Sequence, residues 1–190
     1  LRRGLEEALT AGAMVEASLE EWEQTVLHHG KAARYRPAPV MLADLAADLE
    51  DLQTAMRKHR GPSTLRRLTR VTAQMAGLMC LTLIKLDDRP VFRRWARTAR
   101  TAARESGDPY TRSWVLAQEA YGHFYSGDMQ EAISVAQAAQ QVTRPCVGAV
   151  LAAALEARAA ACSRESRHTR QALHRTEDLL GELPAEEVNA

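Results

Sequence analysis

The sequence predicts an all-α chain, a right-handed array of antiparallel helical hairpins stacked as a solenoid. Three observations point there. The first is a loose repeat with a period of about 40 residues in the second half of the chain. Gly127-Asp128, Glu131-Ala132 and Ala139 form one frame. The same frame falls earlier on Asp87-Asp88, Val91-Phe92 and Ala99, and later on Arg167-His168, Gln171-Ala172 and Leu179. Each frame is expected in a turn between two helices. One hairpin cannot bury its apolar face alone, so hairpins of this period stack on their neighbours. The second observation is that no β-branched alternation lasts more than a few residues. The third is composition: Ala and Arg, both strong helix formers, are abundant and Gly is scarce.

The elements follow in order. Helices are expected over residues 1–14 and 19–34, the second capped by Ser18 with Glu20, Glu21 and Glu23 at its positive end. Pro37 and Pro39 break it. The next helix, over 40–59, carries a seam of Leu42, Leu45, Leu49, Leu52 and Met56 at steps of three and four. That seam packs onto the following helix or makes a homodimer. Gly61-Pro62 stops this helix, and Ser63 or Thr64 caps a long helix over 64–86. Its second half is apolar all round and belongs at the centre of the domain, with Gly77 permitting a close helix contact. Helices over 89–106, 109–126, 129–143, 145–163 and 168–183 complete three hairpins. The whole chain, 1–190, reads as a single domain: N-terminal helices over 1–61, hairpins over 62–183 and a frayed acidic tail over 184–190.

Hydrophobic residues make up 46% and charged ones 26%, the balance of a soluble globular chain rather than a disordered one. A net charge of +1 gives no global electrostatic case for nucleic acid. The three cysteines, Cys80, Cys146 and Cys162, form no CxxC pair and read as reduced, buried thiols of a cytoplasmic protein. The longest apolar-leaning stretch, 75–86, is too short for a membrane and holds Thr82 and Lys85. A start at Leu1 rather than Met is expected of a fragment, a processed product or one domain of a longer protein.

The stretch from Trp114 to Ala139 resembles a tetratricopeptide (TPR) repeat. Ala120 matches the small residue at the helix crossing, Gly127-Asp128 the turn and Glu131-Ala132 the start of the second helix. Ala139 matches the later small position, Pro145 falls near the expected proline, and Phe124 or Tyr125 takes the aromatic place before the turn. In the flanking repeats Asp87 and Arg167 stand where the turn glycine would be. Most of the chain, residues 65–102 included, is similar to the C-terminal TPR-like domain of actinobacterial helix-turn-helix regulators of the Xre class. The resemblance implies a sensor or dimerisation module whose DNA-binding reader lies in an upstream domain absent from this chain.

On a TPR frame, Trp114, Ala117, Gln118, Tyr121 and Tyr125 point into the concave groove. Gln74, Leu81 and Lys85 join them from the central helix, with Ala154, Ala157 and Arg158 from the later repeat. The expected ligand-binding set is Gln74, Lys85, Trp114, Gln118, Tyr121, Tyr125 and Arg158. Aromatic anchors with a few polar groups suit a peptide, a planar small-molecule effector or a protein partner. The competing reading of these aromatics is core packing. Arg93, Arg97, Arg100 and Arg104 form one basic stripe, and Arg66, Arg67 and Arg70 a second patch; each is an anion site or a solvated face paired with acids. His28 and His29 are adjacent and cannot share one helix face, so no metal site is expected. No Gly-rich phosphate loop, nucleophile elbow or HExxH motif occurs, so neither an enzyme nor a cofactor is expected.

Overall fold

The computed structural model describes residues 2–59, 61–143 and 145–184, with side chains described from Val15 onward. Every regular element among them is helical. The helices are α1 (Arg2–Ala32), α2 (Ala38–Lys58), α3 (Pro62–Lys85), α4 (Arg89–Ser106), α5 (Pro109–Tyr125), α6 (Met129–Gln140), α7 (Val147–Cys162) and α8 (Ser166–Glu182). The side chains of the expected first helix before Val15, and the expected frayed tail after Pro184, lie outside the described residues.

The two expected N-terminal helices are one. Ser18 sits inside α1 and caps nothing. A serine costs little within a helix when its flanks are strong helix formers, as the glutamates and leucine around it are. Nor does Ser63 or Thr64 cap α3. Gly61 takes the cap position without a side-chain bond, and Pro62 opens the helix, where its missing N–H costs nothing. Aspartates do cap two later helices. Asp88 accepts from the Val91 amide, and Asp108 from the Tyr110 and Thr111 amides. The Cys146 sulfur plays the same part for α7, accepting from the Ala149 amide at 3.3 Å. So α7 begins after Pro145 rather than at it, and α6 ends at Gln140, short of Thr143.

Three of the turns are built alike. After α3, the Asp88 amide donates to the Leu83 carbonyl and the Asp87 amide to Ile84, both at 3.1 Å. After α5, Asp128 donates to His123 and Gly127 to Phe124, both at 3.0 Å. After α7, Glu165 donates to Ala160 at 2.9 Å and Arg164 to Ala161 at 3.0 Å. This double closure is the Schellman end of a helix, and it needs one left-handed residue. Asp87, Gly127 and Arg164 supply it, at φ 54°, 84° and 62°. The third turn therefore falls at Arg164, not at Arg167-His168, which lie in the first turn of α8. The spacing from Gly127 to Arg164 is three residues shorter than that from Asp87 to Gly127, close to one helical turn, so Ala172 and Leu179 still face inward as the expected frame required.

Each helix packs mainly on those one and two places along the chain: α3 on α4, α5 on α6, α6 on α7 and α7 on α8, with α1 on α3, α3 on α5 and α5 on α7. The second half of α3 is buried as expected, from Met75 through Cys80. The α2 seam faces this core: Leu45 and Leu52 are fully buried, and Leu42, Leu49 and Met56 pack against the same cluster. That removes it as an exposed dimer surface. Farther along, the core turns to alanine. Ala117, Ala120, Ala136, Ala139 and Ala152 are fully buried between α5, α6 and α7. Small side chains let these backbones approach closely. A Cβ placed at Gly148 would lie 2.4 Å from the Trp114 amide nitrogen, so only glycine fits where α7 crosses α5. The contact that Gly77 permits is with the Trp114 ring, whose Cζ3 would meet a Cβ there at 2.4 Å.

Candidate ligand-binding groove

The helices α1, α3, α5 and α7 touch in series and share one face of the molecule. Two cavities open on that face, and Trp114 and Gln74 line both. The larger, about 430 Å³, lies between α1, α3 and α5. Trp114 on α5 and Leu78 on α3 form one wall; Val26, Leu27 and Tyr35, in and after α1, form the other. Lys31 and Arg34 stand at its edge, and no carboxylate lines it. The smaller, about 270 Å³, lies between α5 and α7 beside Tyr110 and Val147. Its one acid, Asp108, is occupied as the α5 cap, its carboxylate also accepting from the Thr111 hydroxyl at 2.6 Å.

At the other end of α5 a second grouping forms. Tyr121 and Tyr125 stack with ring centroids 6.3 Å apart at 20°. Phe124 meets Tyr125 edge-on at 5.2 Å. Arg158, on α7, lies 4.7 Å from the Phe124 centroid and 6.0 Å from that of Tyr121, and donates to the Tyr125 hydroxyl at 3.4 Å. That bond to Tyr125 and the electron-rich rings hold the guanidinium firmly charged. Tyr125 remains 55% exposed, while Tyr121 and Phe124 pack against the buried alanines of α5, α6 and α7, so the cluster runs from core to surface.

Of the expected binding residues, the structure joins Gln74 with Trp114, and Tyr121 and Tyr125 with Arg158. Lys85 stands apart: its Nζ donates to the Ala33 carbonyl at 2.5 Å, tying the end of α3 to the end of α1. Gln118 is buried on α5 between the two groupings. Ala117 and Ala157 are buried in the core and do not face the groove. Sequence reasoning missed the α1 wall. Its signal was the pairing of Leu27 and Tyr35 with Lys31 and Arg34; Leu27 and Tyr35 are 55% and 86% exposed. An apolar pair that stays in water beside two cations is what a binding edge presents.

The groove holds little reactive chemistry. The Cys146 thiol at the smaller cavity is buried and bonded to the Ser113 hydroxyl at 3.3 Å. Deeper in, burial pushes the Cys80 thiol up to about 12, with the Glu119 carboxylate adding to the effect. Among the described residues no group of three or more His, Cys, Asp or Glu side chains is placed to hold a metal ion. None of the helices described is long and apolar enough to cross a membrane. The chain matches no protein-family model, no curated protein and no solved structure.

Proposed function

We propose that this chain is the effector-sensing or protein-interaction domain of a bacterial transcriptional regulator. It binds a peptide or small molecule in the groove and passes the signal to a DNA-binding domain elsewhere in the protein. The chain is then a short, right-handed TPR-like array at work in the cytoplasm, and it binds rather than catalyses. The observation that carries this reading is the cavity of about 430 Å³ walled by Trp114, Leu78, Leu27 and Tyr35, with Gln74 inside and Lys31 and Arg34 at the edge. Its volume is that of a small-molecule site, and its lining is an apolar body with a few polar groups. The cations at one edge favour a ligand with an anionic end, such as a peptide carboxylate. Its walls come from three helices, so a ligand that draws α1 toward α5 changes how the first hairpin sits on the rest. Such a ligand shifts an attached domain only by its differential affinity for the two arrangements.

A second reading, a scaffold that grips another protein, has its own support. Tyr35, Tyr110 and Tyr125 are each more than half exposed, and exposed tyrosines are enriched at protein interfaces.

Native mass spectrometry of the chain purified without denaturation separates the readings. A bound small mass that disappears in a Leu27→Asp, Tyr35→Ala variant is the expected result. A bare wild-type chain, or a bound mass that survives the double substitution, refutes the groove site.

A further inference from the structure

The two basic patches differ in how their charge is answered. On α3, Arg67 makes a two-pronged pair with Glu23 at 3.0 and 2.9 Å and also bonds Glu16; Arg70 reaches Glu23 at 2.5 Å. Those arginines are neutralised by α1. On α4, Arg93, Arg94, Arg97 and Arg104 meet no carboxylate among the described residues. Like charges three and four apart on a helix repel one another, so an unanswered row of them is unfavourable in the free chain.

Three residues of the α4 helix, Arg97, Arg100 and Arg104, converge with Arg112 of α5 on a cleft of about 470 Å³. Val115 and Leu116 of α5 and Ala138 of α6 make its apolar floor. Beneath it the carboxylate of Glu119, only 5% exposed, holds the Arg100 Nε at 3.1 Å. A buried acid thus pairs with one guanidinium, without a hydrogen bond to that oxygen, while four cations face the cleft against that single charge. The acid on α4, Glu105, lines a different depression, between α2, α3 and α4, which Arg97 also borders without an ion pair to it.

We propose that this cleft binds a small organic anion bearing a phosphate or pyrophosphate. A lone carboxylate is satisfied by one bidentate arginine. A phosphate group carries close to two charges and three acceptor oxygens, and so uses several guanidiniums at once. Arginine is the side chain whose planar fork matches those oxygens. The apolar floor takes the rest of the molecule. Duplex nucleic acid fits less well, because the arginines line a concave cleft of small-molecule size. This site lies between α4, α5 and α6 and is independent of the groove reading.

The test is titration of the full chain with inorganic pyrophosphate and with adenosine diphosphate, followed by amide chemical shifts at low and at physiological salt. Saturable shifts centred on α4 and α5 are expected. The Arg97→Gln, Arg104→Gln variant loses no ion pair and relieves repulsion, so its melting temperature does not fall, and its affinity falls by roughly tenfold or more per guanidinium. An Arg93→Gln, Arg94→Gln control removes equal charge from the same helix outside the cleft and keeps its affinity. The proposal is overturned by no saturable response, by equal losses in both variants, or by a duplex oligonucleotide that binds more tightly and displaces pyrophosphate.

Discussion

Glu156 is fully buried on α7 and meets partners from two other helices. Gln137 and Gln140 of α6 donate to it at 2.9 and 2.7 Å; His168 of α8 lies at 2.7 Å and Arg175 at 3.5 Å. Burial alone would raise its pKa, but the bonds from Gln140, Gln137 and His168, with the Arg175 charge, hold it below the ordinary 4.5. In return the bond to Glu156 raises His168 above its ordinary 6.5. Removing one partner of such a cluster strands the rest. Glu156→Ala removes the buried charge and leaves His168 and Arg175 partly exposed, so it is expected to cost about 1–3 kcal/mol in urea unfolding; a loss under about 0.5 kcal/mol would mean that water replaces the carboxylate freely. The pH dependence has two limbs. A raised histidine contributes stability that is complete below about pH 6.5 and is lost as pH climbs through the folded value. A lowered carboxyl contributes above about pH 4.5 and loses it as pH falls through its folded value. The melting temperature should fall as pH rises from about 6.5 through the folded value of His168, and His168→Gln should flatten that limb; an unchanged limb would detach His168 from the cluster. This cluster was not legible in the sequence. Glu156 is one acid in an alanine-rich run, and its partners lie 12 to 19 residues away on two other helices.

The turns between helices show what an element demands of single residues. Each Schellman closure needs one residue at positive φ, where a non-glycine side chain is strained by about 1–2 kcal/mol. Gly127 meets the demand without strain; Asp87 and Arg164 do not. Asp87 gains an ion pair with Arg89 at 3.1 Å, whereas Arg164 shows no side-chain partner among the described residues. Arg164→Gly should raise stability by about 0.5–1 kcal/mol, read as a higher urea midpoint at unchanged m-value. A drop would mean that the added freedom of the unfolded chain outweighs the relieved strain. The same turns mark how far the expected frame held. Two were legible because Asp87-Asp88 and Gly127-Asp128 share a turn aspartate forty residues apart. The third slid by three residues because a helix end can move by nearly one turn and keep the same side chains buried. The join between the two expected N-terminal helices was hidden for a related reason. Ser18 looks like a cap, but no glycine or proline stands beside it to break the helix.

Across the molecule the core changes character along the chain. Around α3 it is built from Leu, Met and Val; from α5 to α7 it is mostly alanine. The first was legible as periodicity and the second was not, because an alanine run has no apolar face distinct from the rest. The larger cavity divides similarly: Gln74 and Trp114, named from the expected frame, line it, while its α1 wall depends on how a helix outside that frame folds over it. A cluster of Ala73, Ala76, Ala99 and Val115 joins the two cores, bordered by Trp95 and Trp114. The C-terminal end is thinner. Only Ala172 and Leu179 of α8 are buried, and burial of one leucine contributes about 2 kcal/mol. In a chain whose helices contact mainly their near neighbours, a terminal element with so little buried surface opens before the rest. The cysteines report this directly. Cys162 is exposed, Cys146 packs in the cluster that contains Leu179, and Cys80 lies in the central core. Thiol labelling in native buffer, resolved by peptide mass spectrometry, should modify Cys162 at once, Cys146 through a local opening with little urea dependence, and Cys80 only through global unfolding with a steep one. Equal rates and equal urea slopes for Cys146 and Cys80 would mean instead that α8 is held as firmly as the core, and that the chain opens as one cooperative unit.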